Sequence, residues 1–254
     1  MSRLIGQCCS LLLAVLVIGS GGCYASECVV LLHGLARSDA SMAKLAKRLQ
    51  SEGFTVVNVD YPSREQTIAE LSELAVAKGI EQCRLQQSEP INFVTHSLGG
   101  ILVRYYYSNH EPEQLHRVVM LGPPNQGSEV VDHLKNVPGF ALLNGPAGQE
   151  LGTDEASVPK KLGPVFFELG VIAGTESINL LLSSYLPNPD DGKVSVASTK
   201  VEGMCGFVSL PTSHPMMMKN KQVIDEVVSF LSHGYFQSEQ AEPINCLHQN
   251  ITSG

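Results

Sequence analysis

Strands alternating with amphipathic helices predict an α/β fold: a mostly parallel central sheet with helices on both faces. Three observations carry that expectation. Cys28-Val29-Val30-Leu31-Leu32 is an unbroken aliphatic and β-branched run, the pattern of a strand buried on both faces. Residues 38–52 place Met42, Leu45, Ala46 and Leu49 at helical spacing and stop at Gly53. Strand-like and helix-like stretches then keep alternating as far as Leu121.

Each further element has its own signal. Phe54 to Val59 reads as a second strand. Ile68, Leu71, Leu74, Ala75 and Ile80 mark a second helix, Ile91-Asn92-Phe93-Val94 a third strand, residues 98–108 a third helix, and Val118-Val119-Met120-Leu121 a fourth strand. The alternation lapses over residues 123–190, which are rich in Gly and Pro. Within them lie a short amphipathic piece at 128–136 and apolar stretches at 139–143 and 178–186. An excursion of that length inside a compact domain reads as a lid or substrate-binding segment. Regular structure returns near Val194, and Met216 to Leu231 reads as a last helix. Its apolar face carries Val223, Ile224, Val227, Val228 and Leu231.

Composition narrows the function classes. The chain has 254 residues, 43% hydrophobic and 17% charged, with a formal charge of −8. That is a globular balance, and an acidic chain without a Lys/Arg cluster is a poor nucleic-acid binder. The seven cysteines form no CxxC pair, which weakens zinc-ribbon and thioredoxin-like readings.

Residues 1–25 read as a signal peptide. Arg3 precedes the apolar run Leu11 to Ile18, Gly19-Ser20-Gly21-Gly22 breaks it, and Cys23-Tyr24-Ala25 offers small residues for cleavage. The run is too short to span a bilayer. Residues 26–254 are then the mature domain, exported to the periplasm or secreted. The alternative is a lipoprotein anchored through Cys23. Cleavage removes one arginine, so the formal charge becomes −9, and leaves Cys28, Cys83, Cys205 and Cys246. An even number after export predicts two disulfides. Cys28–Cys83 and Cys205–Cys246 are the favoured pairs, each within one half of the chain.

The strongest motif is Phe93-Val94-Thr95-His96-Ser97-Leu98-Gly99-Gly100. A strand enters a helix through a turn that holds a serine among small residues, the pattern of a nucleophile elbow. The turn forces a strained serine backbone, and bulk two residues away collides with it. The serine hydroxyl then stands at the C-terminal edge of the sheet. Downstream lie Asp190-Asp191-Gly192-Lys193-Val194 and Ser213-His214-Pro215.

These segments, with Leu31-Leu32-His33-Gly34, make the mature chain resemble the α/β-hydrolase superfamily, and within it the small bacterial lipases and esterases. The similar segments there are an aliphatic-His-Gly stretch, a [G/A]-x-S-x-G-G elbow, a D-G-x-V acid loop and a late histidine. Thr95 departs from the small residue at the first elbow position. The resemblance implies an α/β-hydrolase fold that cleaves carboxylic esters through an acyl-enzyme on Ser97. It puts His214 as general base and Asp191 as its partner, with Asp190 the competing acid. The amides of Leu35 and Leu98 become the oxyanion hole. His33, Asn125 and Gln126 stand closest to the substrate, though His33 and His96 also read as supports of the serine loop, and Asn125 and Gln126 as its braces. No metal or organic cofactor is expected, and the partner is an ester or lipid, with transient contact to a lipid interface. Two other readings stay open: an acyltransferase using the same three residues, and a silent binding module on a hydrolase fold.

Overall fold

The computed structural model describes residues 26–244 and 246. The expected signal segment, Cys23 and His248 lie outside them. Seven strands form one sheet in the order β2-β1-β3-β4-β5-β6-β7. They are β1 (Cys28–Leu32), β2 (Thr55–Val59), β3 (Ile91–His96), β4 (Leu115–Leu121), β5 (Glu168–Gly174), β6 (Gly206–Leu210) and β7 (Ala241–Pro243). Every neighbour pair is parallel except β6 with β7. This is the α/β-hydrolase fold that the sequence predicts.

Alternation along β1 explains the two helical layers. Val30 and Leu32 point to one face, toward α2 (Ile68–Leu85) and α3 (Leu98–Tyr107). Val29 and Leu31 point to the other, toward α1 (Ala43–Ser51) and α9 (Lys221–His233). All five β1 side chains are fully buried, so the strand reads as a continuous apolar run instead of an alternating one. Thr67 opens α2 with a capping box: it accepts from the Glu70 N–H while Glu70 accepts from the Thr67 N–H at 2.9 Å. The disulfide Cys28–Cys83 ties β1 to α2, and Cys205–Cys246 ties the approach to β6 to the tail. Both pairings match the sequence expectation.

The structure corrects the reading at three places. The 123–190 excursion is not continuous, because β5 runs through it between β4 and β6. Its Glu-Leu-Gly-Val-Ile-Ala-Gly sequence is short and glycine-flanked, and little local signal lifts it above its surroundings. Gly170 is needed there, since a Cβ would sit 2.7 Å from the Phe230 ring. The excursion otherwise holds α4 (Glu129–Leu134), α5 (Phe140–Gln149), α6 (Val158–Lys161) and α7 (Leu180–Ser183), with α8 (Val196–Thr199) just after it. The expected single helix over 216–231 is two pieces. A 3₁₀ turn spans His214–Lys219, and Asn220 then caps α9 through its side chain. Leu74, expected on the apolar face of α2, is exposed.

The topology places the site. Chain order steps from β1 outward to β2, then returns to β3 on the other side of β1. In open parallel sheets that reversal opens a crevice beyond the C-terminal ends of the two strands. His33-Gly34-Leu35 and Ser97 stand there.

Candidate active site

Ser97 joins β3 directly to α3 with φ 53° and ψ −118°, a region rarely visited by residues with a side chain. The sheet and helix approach closely at this turn. A Cβ on Gly99 would lie 2.8 Å from the Leu32 carbonyl oxygen, and one on Gly100 would lie 3.0 Å from Met120 Sδ. That is why small residues follow the serine. Thr95 sits inside the sheet opposite Leu32, fully buried, where a β-branched residue suits a strand.

His214 starts the turn after β6. Its Nδ1–H donates to Asp191 Oδ2 at 2.7 Å, and its backbone N–H donates to the Asp191 carbonyl at 2.9 Å. Asp191 is buried. Its other carboxylate oxygen accepts from the Lys193 N–H at 2.9 Å and the Val194 N–H at 2.8 Å. Three donors thus satisfy a carboxylate that has little water. With Nδ1 committed as donor, Nε2 of His214 is the free acceptor. Asp190 does something else: it accepts from the Ser183 hydroxyl at 2.6 Å and the Gly192 N–H at 2.7 Å.

Ser97 and His214 line one cavity of about 240 Å³. His96 connects them. It precedes Ser97 in the chain, its Nε2–H donates to the His214 carbonyl at 3.0 Å, and the two rings lie 4.6 Å apart. Desolvation, then the neighbouring charge of His214, pushes the buried His96 imidazole well below its ordinary pKa, so it stays neutral. Gly34 packs on the same turn: a Cβ there would lie 2.6 Å from His96 Nδ1 and 3.2 Å from Ser97 Cβ. That brings the Leu35 segment against the serine, and Leu35 lines the cavity. Neither the Leu35 nor the Leu98 amide donates to another group among the described residues.

Three residues expected beside the substrate do not line this cavity. His33 is fully buried, stacks on Tyr61 at 4.0 Å and donates from Nδ1 to the Gly34 carbonyl at 2.9 Å. Asn125, also fully buried, donates to the Thr199 carbonyl at 2.8 Å and accepts from Arg104 at 3.1 Å. Gln126 donates to the Lys200 carbonyl at 3.1 Å. All three brace loops, because their polar groups are consumed by backbone and side-chain partners away from the cavity. The apolar walls include Val130 and Val131 of α4, Phe140 and Leu151, all within the 123–190 excursion, with Arg37 and Lys193 at the polar side. Among the remaining histidines, His233 donates from Nδ1 to the Ser229 carbonyl at 3.2 Å at the end of α9, and His110 stacks on Tyr106.

Solved structures share this architecture. The mature form of a Bacillus licheniformis lipase superposes with a TM-score of 0.63 and 18% identity, over 82% of this chain and 91% of that one. Aspergillus fumigatus lipase B gives 0.59 and 15%, over 82% of this chain and 53% of that one. An extracellular α/β-hydrolase from a Paenibacillus species gives 0.52 and 13%, over 81% and 98%. No curated protein sequence matches the chain. Residues 28–160, just over half of the 254, match the profile of the family described as palmitoyl protein thioesterase, and the chain belongs to that family.

Proposed function

We propose that the protein hydrolyses acyl esters or thioesters through a covalent acyl-enzyme on Ser97. The observation that carries this reading is the buried Asp191–His214 pair opening onto the same cavity as the strained Ser97. His214 Nε2 takes the Ser97 hydroxyl proton as Oγ bonds to the carbonyl carbon. The carbonyl oxygen becomes an oxyanion held by the Leu35 and Leu98 amides, where losing one donor costs about 3–4 kcal/mol of transition-state stabilisation. The bond to the leaving alcohol or thiol breaks, and that group departs with the proton from His214. Water then gives a proton to His214 and its oxygen to the acyl carbon. The Ser97–acyl bond breaks, and Ser97 recovers the proton.

The cavity, about 240 Å³, is smaller than the roughly 300–1,000 Å³ of typical ligand pockets. It therefore encloses a short acyl chain, and a longer one would continue over exposed apolar residues. Leu142 and Leu143 of α5, on the helix that supplies Phe140 to the wall, are 86% and 63% exposed. They favour contact with lipid. Two disulfides suit an exported protein.

A fluorophosphonate probe tests the mechanism. Labelling of the wild type at Ser97, its loss in Ser97→Ala, and release of p-nitrophenol from p-nitrophenyl butyrate are expected. A folded protein that neither labels nor hydrolyses this ester overturns the proposal. With an added alcohol, the ratio of free acid to acylated alcohol separates hydrolysis from acyl transfer.

A further inference from the structure

Two cations stand at the cavity without a carboxylate partner. Arg37, two residues beyond Leu35, and Lys193, two residues beyond Asp191, both line the cavity that holds Ser97. Neither forms an ion pair among the described residues. Both also line an adjoining cavity of about 180 Å³ that includes His214 and Asp191 but not Ser97. Arg37, Lys193 and His214 are thus shared by the two cavities, which marks the cations as lying on the His214 side of the serine.

That side has a chemical meaning. The leaving group is the part of the substrate that receives its proton from His214, so it must pass beside that imidazole. The cations are close enough to feel each other: desolvation, then the like charge of Arg37, lowers the Lys193 pKa, with Asp191 opposing. Two like charges left unpaired disfavour the empty site, and a bound anion reverses that cost. The backbone supports the placement too. Ala36, between Leu35 and Arg37, has φ 55°, a left-handed value that alanine rarely adopts. The chain as a whole is acidic, with a formal charge of −8, so this positive pair is a local exception.

We infer that Arg37 and Lys193 form an anion-recognition site for the leaving group, and that the substrate is an ester or thioester whose alcohol or thiol carries a phosphate. The inference rests on the hydrolase reading above. A soluble phosphorylated thiol and a phospholipid headgroup both supply this chemistry, and matched substrate pairs distinguish them.

The experiment compares kcat/KM within two pairs that share their acyl groups. One is butyryl-coenzyme A against butyryl-pantetheine; the other is dihexanoyl phosphatidic acid against dihexanoylglycerol, all below their micelle concentrations. The wild type is expected to prefer the phosphate-bearing member of at least one pair by about tenfold, with the preference shrinking as sodium chloride rises. In Arg37→Gln/Lys193→Gln the ratio falls to near one, and in Arg37→Glu/Lys193→Glu it inverts. Preference confined to the thioester pair assigns the phosphate to a soluble substrate; preference confined to the lipid pair assigns it to a headgroup. Equal rates within both pairs, or a ratio untouched by the double substitutions, overturn the anion site while leaving the hydrolase reading intact. Turnover of no member of either pair, together with no fluorophosphonate labelling, overturns both.

Discussion

At the scale of single residues, the site depends on groups held in states that solution would not choose. Ser97 keeps a backbone conformation worth about 1–3 kcal/mol of strain, and the close fit of Gly34, Gly99 and Gly100 around the turn holds it there. His96 stays neutral because it is buried, with its Nε2–H spent on the His214 carbonyl and its Nδ1 without a partner among the described residues. That has a pH consequence. The native imidazole titrates well below 6.5, whereas the unfolded chain takes up a proton near 6.5. Below that pH the unfolded state binds the extra proton, so stability falls as pH drops, by at most about 1.4 kcal/mol per pH unit for one group. His33, lowered in the same direction by desolvation, adds to the effect. Melting temperatures of wild type and His96→Gln between pH 7.5 and 5.0 check this. The variant should lose less stability on acidification, and parallel curves would refute the assignment.

At the scale of elements, the end of β4 is as important to the site as the elbow. Gly122 takes φ +55° just past that strand, and its N–H donates to the Ile172 carbonyl of β5 at 2.9 Å. A Cβ there would lie 2.9 Å from Asp191 Oδ2, 2.9 Å from Met217 Sδ and 3.1 Å from His214 Nδ1. Gly122→Ala must therefore move the Asp191–His214 pair. Misplacing a catalytic group by about 1 Å costs on the order of a hundredfold in rate. We expect kcat/KM on p-nitrophenyl butyrate to drop by about that factor while the far-ultraviolet circular dichroism stays native. A variant with unchanged kcat/KM would show that the pair does not depend on this contact. The same elements explain why β5 hides in the sequence: its burial depends on β4, β6 and the aromatic rings of Phe230 and Phe236, all distant in the chain.

At the scale of the whole molecule, stability and catalysis are separated along the sheet. The Cys28–Cys83 bond closes 55 residues at the N-terminal end of β1, whereas the site lies beyond its C-terminal end. Removing the bond should act on the unfolded chain more than on the site. Cys28→Ala/Cys83→Ala is expected to lose about 2–4 kcal/mol in urea unfolding and to keep its kcat/KM at 25 °C. A loss of activity without loss of stability would contradict that separation. Among the described residues no helix is long and apolar enough to cross a membrane.

Local pattern predicted the strands and helices up to Leu121, the turn at Ser97 and, from an even cysteine count, two disulfides, while the resemblance to lipases and esterases supplied Asp191 and His214 as candidates. The local signals are written in short-range spacing: an apolar run, a 3.6-residue period, a serine among small residues. Only the tertiary structure separates Asp191 from Asp190, since one carboxylate reaches His214 and the other Ser183. It also left His33, Asn125 and Gln126 off the cavity lining, and brought Arg37 and Lys193 to one cavity from 156 positions apart. Those outcomes depend on contacts between segments far apart in the chain. Such contacts are set by how the sheet orders its strands, and no local pattern of residues encodes that order.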